Sequence, residues 1–168
     1  LTAVDKRIEQ LIQKKALLED YKKGVMQQLF TQAIRFKNDD GKDFPDWEEK
    51  ALEELCNGEI SNGVFNDPAK VGSGYRLINV SDMYRGASID VDSLSRVELT
   101  TNEFEKNQVQ YGDLFFTRSS LVASGIAWSN VNLSSATDIT FDGHLMKISP
   151  DLSLFHPVFL SKLMMTLE

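Results

Sequence analysis

The sequence has few of the residue types that support metal or thiol chemistry. It contains one cysteine, Cys56, and two histidines, His144 and His156. A lone cysteine excludes an intrachain disulfide and a cysteine-based zinc site, and it suits a reducing cytoplasm. Neither histidine stands in a metal-ligand pattern. We therefore expect no metal and no cofactor, and we expect Cys56 to be a buried structural thiol.

Long apolar runs and nucleotide-binding motifs are also missing. The longest apolar stretches are only a few residues, whereas a membrane-spanning helix needs about 20, so we expect no membrane partner. Gly72-Ser73-Gly74 lacks the third glycine of a dinucleotide site, and no phosphate-binding loop occurs. No serine or cysteine nucleophile stands in a recognisable frame. A small cytoplasmic enzyme whose site the sequence does not reveal is an alternative interpretation, but the lack of a convergent His, Cys or carboxylate motif argues against it.

The net charge of −7 hides an asymmetry between the two parts of the chain. Residues 1–37 contain eight basic and four acidic residues, which makes them +4, whereas the remainder contains ten basic and twenty-one acidic residues, which makes it −11. An acidic part argues against broad nonspecific binding to nucleic acid, which depends on phosphate neutralisation. It leaves room for a small site that reads bases, particularly if another subunit contacts the phosphates.

The first 35 residues have a strong helical period. Apolar residues recur there at three- and four-residue steps, the spacing of a coiled-coil seam; the seam residues are Val4, Ile8, Leu11, Leu18, Val25 and Leu29. Lys15 and Lys22 occupy two further seam positions, where an ammonium weakens a coiled coil but can fix its register or partner. The pattern predicts a helix that pairs with a second helix, either from another copy of the chain or from a related one.

The rest of the chain predicts a linker and a mixed domain. Residues 36–46 read as a polar linker, and Asp46 predicts the cap of a short helix over 47–55 with Trp47, Ala51 and Leu55 on one face. Thr100 and Glu103 form a capping box at the start of another short helix, and Pro157 predicts the first turn of a last one. Strands are predicted at 75–80, 114–117, 125–128 and 144–148.

Two of these segments resemble a known family. Residues 75–83 (YRLINVSDM) and 111–127 (YGDLFFTRSSLVASGIA) resemble the target recognition domain of type I restriction–modification specificity subunits. In that family a Y-x-x-I-x-V-x-D-like strand and loop precedes a G-D-x-L-x-T-R-S-like strand and a G-I-A-like segment. The basic, glutamine-rich residues 8–30 resemble the helix that follows the first recognition domain, and residues 47–63 resemble the start of the second.

The resemblance implies a division of labour. Such subunits hold two recognition domains apart with two antiparallel helices, and each domain reads half of a split DNA sequence. Methyltransferase and translocase-nuclease subunits supply the catalysis, so this chain would have no activity of its own. We expect an α+β fragment of a longer protein: a coiled-coil spacer helix at 1–35, a linker at 36–46, and a C-terminally truncated recognition domain at 47–168 with a mixed, strongly twisted β-sheet and short helices.

The expected partners follow from the same resemblance. They are double-stranded DNA, the methyltransferase (modification) subunits, the restriction/translocase subunit, and a second specificity-subunit helix or another copy of this chain. The expected location is the bacterial or archaeal cytoplasm. The alternative function is a pure protein-interaction module that dimerises through its helix, which the acidic charge beyond residue 37 favours.

The candidate DNA contacts are polar residues in loops beside strands, because base edges need directional donors and acceptors. They are Lys70, Tyr75, Arg76, Asn79, Tyr84, Arg85, Arg118, Ser119 and Ser120. Each could instead be an ordinary solvated loop residue. Asp113 and Thr117 are expected to support the neighbouring turn and loop, and Phe115 and Phe116 are expected to lie in the core.

Overall fold

A computed structural model describes residues 2–58, 60–65, 67–120 and 125–165. The chain divides into two compact units, Leu1–Glu48 and Glu49–Glu168. The helix α1 (Thr2–Phe30) makes up most of the first unit and buries none of its residues within the chain. None of the helices in the described part of the chain is long and apolar enough to cross a membrane.

Helix α1 ends at Phe30 rather than at residue 35 as predicted. Gln32 adopts a left-handed conformation with φ of 60°, and its backbone N–H donates to the carbonyl of Leu29. The N–H of Ile34 donates to the carbonyl of Gln28, so the last turn of the helix closes in a C-terminal cap. The helical period does not reveal this stop, because the left-handed residue is not a glycine.

The predicted linker is a closed loop held by Arg35. The Arg35 guanidinium donates to the Asp46 carboxylate at 2.7 Å and to the backbone carbonyls of Phe44 and Pro45. Because this pairing engages Asp46, the carboxylate does not cap a helix, and the predicted helix over 47–55 is wrong. The structure has one 3₁₀ turn, Leu52–Leu55, instead, and Trp47 packs edge-on against Phe30 at 6.2 Å between ring centroids.

Two β-sheets form the second unit. The strands are β1 (Ser61–Asn62), β2 (Val71–Ile78), β3 (Ser95–Val97), β4 (Leu114–Thr117), β5 (Ser129–Val131), β6 (Ile139–Phe141) and β7 (Leu145–Ile148). The larger sheet is antiparallel in the order β1-β7-β4-β5, and the smaller is mixed, with β2 antiparallel to β3 and parallel to β6. The α+β class is confirmed, with two sheets in place of the expected one.

Short helical segments lie between the strands and after the last one. Those between strands are α2 (Thr101–Lys106) and the 3₁₀ turns Pro68–Lys70, Val80–Tyr84 and Val91–Ser93, and α3 (Pro157–Met164) follows β7. The capping box that begins α2 is confirmed, since Glu103 accepts from the backbone N–H and the hydroxyl of Thr100. Proline in the first turn of α3 is also confirmed.

The strand predicted at 125–128 is wrong. Gly125 to Ala127 form a turn in which Ala127 has φ of 58°, and β5 begins only at Ser129. The left-handed residue is incompatible with a strand, although the apolar sequence Gly-Ile-Ala-Trp favours one. The predicted strand at 144–148 is confirmed from Leu145 onward, and His144 lies in the turn before it.

Strand β4 contributes to two of the clusters that make up the core. Phe115 is fully buried in one cluster with Ile78 and Phe141, whereas Leu114 is fully buried in the other with Val131 and Leu160. Alternate residues of a strand point to opposite faces, so one short strand serves both clusters. The predicted burial of Phe115 is confirmed, and Phe116 is half-buried against the second cluster.

The entry to β4 depends on a buried carboxylate. Asp113 is 2 % exposed and accepts from the backbone N–H of Gln110 at 2.8 Å, the hydroxyl of Ser149 at 2.6 Å and the ammonium of Lys147 at 3.1 Å. Lys147 also donates to the carbonyl of Gln108 at 2.9 Å. Gly112, before it, has φ of 88° and lies against Leu152, where a Cβ would be only 2.7 Å away. The predicted supporting role of Asp113 is confirmed.

We predict that Asp113→Ala lowers the free energy of unfolding by about 3–5 kcal/mol, because it leaves the Lys147 ammonium buried without its counter-charge. Urea unfolding followed by circular dichroism measures the effect. Asp92→Ala removes an exposed carboxylate from the same unit and should change stability by less than about 0.5 kcal/mol. Equal losses for the two variants would contradict the buried role of Asp113.

Candidate nucleic-acid interface

The four strands of the larger sheet share one edge at which their polar neighbours collect. β4 ends there at Thr117, paired with Leu145 at the start of β7, and Asn62 at the end of β1 pairs with Met146. β5 begins there, because Ser129 pairs with Phe116. We call the side chains gathered here the Arg118 edge; they are Asn62, Tyr84, Arg118, Ser119, Ser120, Trp128 and His144.

A buried threonine organises the centre of this edge. The Thr117 hydroxyl donates a short hydrogen bond to the carbonyl of Gly125 and accepts from the backbone N–H of Trp128 at 3.0 Å. The Tyr84 hydroxyl donates to the same Gly125 carbonyl at 3.2 Å, and its ring packs edge-on against Trp128 at 5.6 Å. The predicted supporting role of Thr117 is confirmed.

Two of the predicted DNA contacts meet at Gly125. A Cβ on this glycine would lie 2.3 Å from the Ser120 hydroxyl oxygen and 2.8 Å from that of Tyr84. The two side chains are therefore neighbours in space although they come from distant parts of the sequence. Ser119 lies between Arg118 and Ser120 and is exposed.

Arg118 stands at the end of β4 with its side chain exposed. Its backbone N–H donates to the carbonyl of His144 at 2.9 Å, and its guanidinium donates to the Asn62 side-chain oxygen at 3.3 Å. Among the described residues this guanidinium binds no carboxylate, and its bond to Asn62 uses one of its five N–H donors.

Arg85 lies beside this edge rather than on it. Its backbone carbonyl accepts from the side-chain amide of Asn130 in β5 at 3.4 Å. Its side chain is 63 % exposed and lies 3.7 Å from the carboxylate of Asp82. A surface ion pair of this length is weak, so Arg85 keeps most of its conformational freedom.

The other four predicted contacts lie on or beside β2, in the smaller sheet. Arg76 binds the Asp138 carboxylate through two nitrogens, at 2.8 and 3.1 Å, and this pairing holds the pKa of Asp138 below its ordinary value. Tyr75 stacks on Phe104 with ring centroids 3.8 Å apart, and the Asn79 amide donates to Ser95 and to the carbonyl of Leu77. These three side chains have structural partners within the domain, whereas Lys70 is exposed.

Sequence reasoning missed Asn62, Trp128 and His144 as members of the Arg118 edge. Gly63, the residue after Asn62, approaches the backbone carbonyl of Phe141 so closely that a Cβ there would meet its oxygen. His144 follows β6 through the turn Asp142-Gly143. A polar residue in a turn between two strands is a signal that could identify His144, but the sequence does not predict β6, so the turn is not apparent.

No metal site is found among the described residues: no three His, Cys, Asp or Glu side chains are grouped there to hold an ion. Cys56 is half-buried against the second core cluster, and burial raises the pKa of its thiol. Cys56 therefore packs against the core, but it is only half-buried, whereas the sequence predicts a buried thiol.

Most of the predicted seam of α1 is exposed. Val4, Ile8, Leu11 and Leu18 are each at least half exposed, and Val25 and Leu29 are half-buried. Lys15, at one of the polar seam positions, lies 3.7 Å from Glu19 one turn later. A long exposed apolar stripe is unfavourable in water. The exposed stripe therefore favours pairing with a second helix, which stays a prediction.

Comparisons with known proteins find similar solved structures, whereas no protein-family model and no curated protein matches the chain. The crystal structure of the HsdS subunit from Thermoanaerobacter tengcongensis matches 98 % of this chain at 17 % identity with a TM-score of 0.57. A structure described as the basis of complex assembly and conformational transition of the type I R-M system matches 97 % at 17 % identity with a TM-score of 0.53.

The chain has the fold of type I restriction–modification specificity (HsdS) subunit structures. It spans about two fifths of their length, 38 % of one chain and 39 % of the other. The match extends over α1 and the two-sheet unit, so the fold that the sequence resemblance implied is confirmed.

We predict that the chain self-associates through the α1 seam and that the double variant Leu11→Asp/Leu18→Asp is monomeric, because buried carboxylates are incompatible with an apolar seam. Light scattering over a range of protein concentrations measures the mass. Gln10→Asp/Gln13→Asp adds the same charge away from the seam and should still associate. A strictly monomeric unmodified chain at high concentration would contradict the coiled-coil interpretation.

Proposed function

We propose that this chain is a non-catalytic part of a type I restriction–modification specificity subunit. Residues 47–168 read one half of a bipartite DNA sequence. Within residues 1–35, α1 (Thr2–Phe30) is a spacer helix that pairs with another helix and docks methyltransferase subunits. The observation that carries the proposal is the Arg118 edge, where polar side chains from separate segments, most of them exposed, converge on one end of the larger sheet. The shared fold over nearly the whole chain supports it.

The chemistry of the Arg118 edge suits base recognition. Arginine binds the O6 and N7 atoms of guanine through two parallel hydrogen bonds, and serine hydroxyls can donate to or accept from any base. Arg118 is exposed. Its backbone hydrogen bond to His144 and its side-chain contact with Asn62 set the position of its guanidinium. Tyr84 and Trp128 add a packed aromatic pair beside it.

The charge distribution of the chain explains how such a surface would bind DNA with sequence preference but low affinity. The part of the chain beyond residue 37 carries a net −11, so it neutralises few phosphates, and phosphate contacts supply most of nonspecific affinity. Partner subunits would then provide the phosphate contacts while this chain reads bases. We expect the 168-residue chain alone to bind DNA only weakly and the methyltransferase subunit to tighten the complex.

The candidates on β2 take secondary roles in this proposal. Arg76, Tyr75 and Asn79 shape the smaller sheet through Asp138, Phe104 and Ser95, and loss of these contacts would act indirectly. Lys70 is exposed and suits a phosphate contact, as does Arg85.

A second candidate function is a protein-interaction module without DNA binding. The acidic charge beyond residue 37 favours it, and so does the exposed apolar stripe of α1. The two candidates differ in whether exchange of residues 47–168 changes a DNA sequence preference.

We predict that grafting residues 47–168 into the second-domain position of another specificity subunit changes one half of the methylated sequence and leaves the other half as before. Mapping of methylated adenines across a genome that carries the chimera measures both halves at once. The parent subunit is the control. A folded chimera that methylates the original sequence would mean that residues 47–168 do not read DNA, and the interaction module would become the better account.

We predict that Arg118→Ala weakens binding to the cognate half-site by about 1–3 kcal/mol, because it removes a pair of hydrogen bonds to one base. Binding assays with cognate and single-substituted duplexes, in the presence of the methyltransferase subunit, measure the loss for each sequence. Arg96→Ala removes an exposed arginine of the smaller sheet and should leave the base preference unchanged. An equal loss on every duplex would make Arg118 a phosphate contact, and no loss on any duplex would remove it from the site.

A further inference from the structure

We infer that His144 is a further base-contacting residue of the Arg118 edge and that Asp142 is its positioning residue. The inference rests on the proposed DNA-reading function and extends it to a side chain that no sequence pattern singled out. It comes from the hydrogen bonds of a single turn, Asp142-Gly143-His144, between β6 and β7.

The carboxylate of Asp142 holds the imidazole of His144 in one orientation. One oxygen of Asp142, Oδ1, accepts from the backbone N–H of His144 at 2.7 Å and from its ring Nδ1 at 2.7 Å. The Asp142 side chain is 7 % exposed, whereas that of His144 is 67 % exposed. Because the ring donates through Nδ1 to a carboxylate, Nε2 is the nitrogen left for a ligand.

The backbone of this turn is anchored on three sides. The N–H of Asp142 donates to the carbonyl of Ile78 in β2 at 3.0 Å, and the N–H of Gly143 donates to the carbonyl of Val64 at 2.8 Å. The carbonyl of His144 accepts from the backbone N–H of Arg118 at 2.9 Å. The turn therefore fixes His144 directly beside Arg118, so a ligand that reaches one side chain is close to the other.

A purely structural role does not account for the ring. The hydrogen bond from the backbone N–H of residue 144 to Asp142 is enough to close the turn, and any residue with a backbone N–H could make it. The ring itself buries little surface and contributes little to the core. A buried acid that orients an exposed imidazole is the arrangement by which proteins fix the tautomer of a functional histidine.

The chemistry of Nε2 complements that of Arg118. In the neutral ring Nε2 is a hydrogen-bond acceptor, whereas a guanidinium offers only donors. In the major groove, adenine N6 and cytosine N4 present amino donors, and guanine presents acceptors. We assign Nε2 of His144 to a base amino group and Arg118 to acceptors close to it, so that the two side chains together read both kinds of base-edge atom.

The test uses the 168-residue chain with the methyltransferase subunit and a library of duplexes of random sequence, from which bound DNA is sequenced. The unmodified chain should enrich one half-site. His144→Ala should lose the preference at one base pair, with about a 5- to 100-fold loss of affinity for the cognate duplex, and keep the other positions. His156→Ala removes the other histidine, which is exposed at the start of α3, and should enrich the unchanged half-site.

Asp142→Asn tests the positioning role. It should relax the preference at the same base pair as His144→Ala, and the double variant should lose no more than His144→Ala alone, since both act through one ring. Thermal unfolding shows whether Asp142→Asn still folds. If it does not, His144→Ala decides the inference, because an exposed ring is removable without loss of the fold.

The outcomes separate this inference from the proposed function. If His144→Ala enriches the unchanged half-site while Arg118→Ala does not, the inference is wrong and the proposed function stands. An equal loss on all sequences would make His144 a phosphate contact and would also overturn its assignment to a base. An unmodified chain that enriches no sequence would contradict the proposed function and the inference together.

Discussion

Buried hydrogen bonds at both ends of β4 are the constraint on which the second unit depends. At its entry, the Asp113 carboxylate accepts from the Lys147 ammonium of β7 and from the backbone of the preceding turn. At its exit, the Thr117 hydroxyl ties the strand to Gly125 and Trp128. Unsatisfied polar groups at these depths would be costly, so the register of β4 against β5 and β7 is strongly specified. That register sets the position of Arg118, the next residue.

The same constraint separates structural polar residues from available ones. Arg76 lies within β2 and Arg118 directly follows β4. Arg76 binds the Asp138 carboxylate through two nitrogens, whereas among the described residues the Arg118 guanidinium binds the neutral Asn62 side chain and no carboxylate. A guanidinium already paired with a carboxylate must lose that pairing before it binds a ligand. A guanidinium held only at one nitrogen keeps its direction and loses little on binding. This difference makes Arg118 the better candidate.

Local signals predicted the elements whose stabilising contacts are close in sequence. A few neighbouring residues are enough to predict three of these features: the capping box of Thr100 and Glu103, the first-turn Pro157 and the apolar strand β4. The failures depend on distant partners. Asp46 is a plausible helix cap until Arg35 engages it, and Gly125 to Ala127 read as a strand until the left-handed Ala127 turns the chain. Strands as short as β1, β3 and β6 have no readable period.

The candidate site was accessible to sequence reasoning only in part, for the same reason. Arg118 and its serines follow a recognisable strand, so a rule about polar loops after strands finds them. His144 belongs to the same edge because β6 and β7, which are distant from Arg118 in sequence, bring it beside that residue. Its orientation depends on the carboxylate of Asp142, and the burial of that carboxylate cannot be predicted from the sequence. Specific recognition needs only a few such oriented groups. Under the proposed function, an acidic domain would read a DNA sequence through such groups, while partner subunits would neutralise the phosphates and supply most of the affinity.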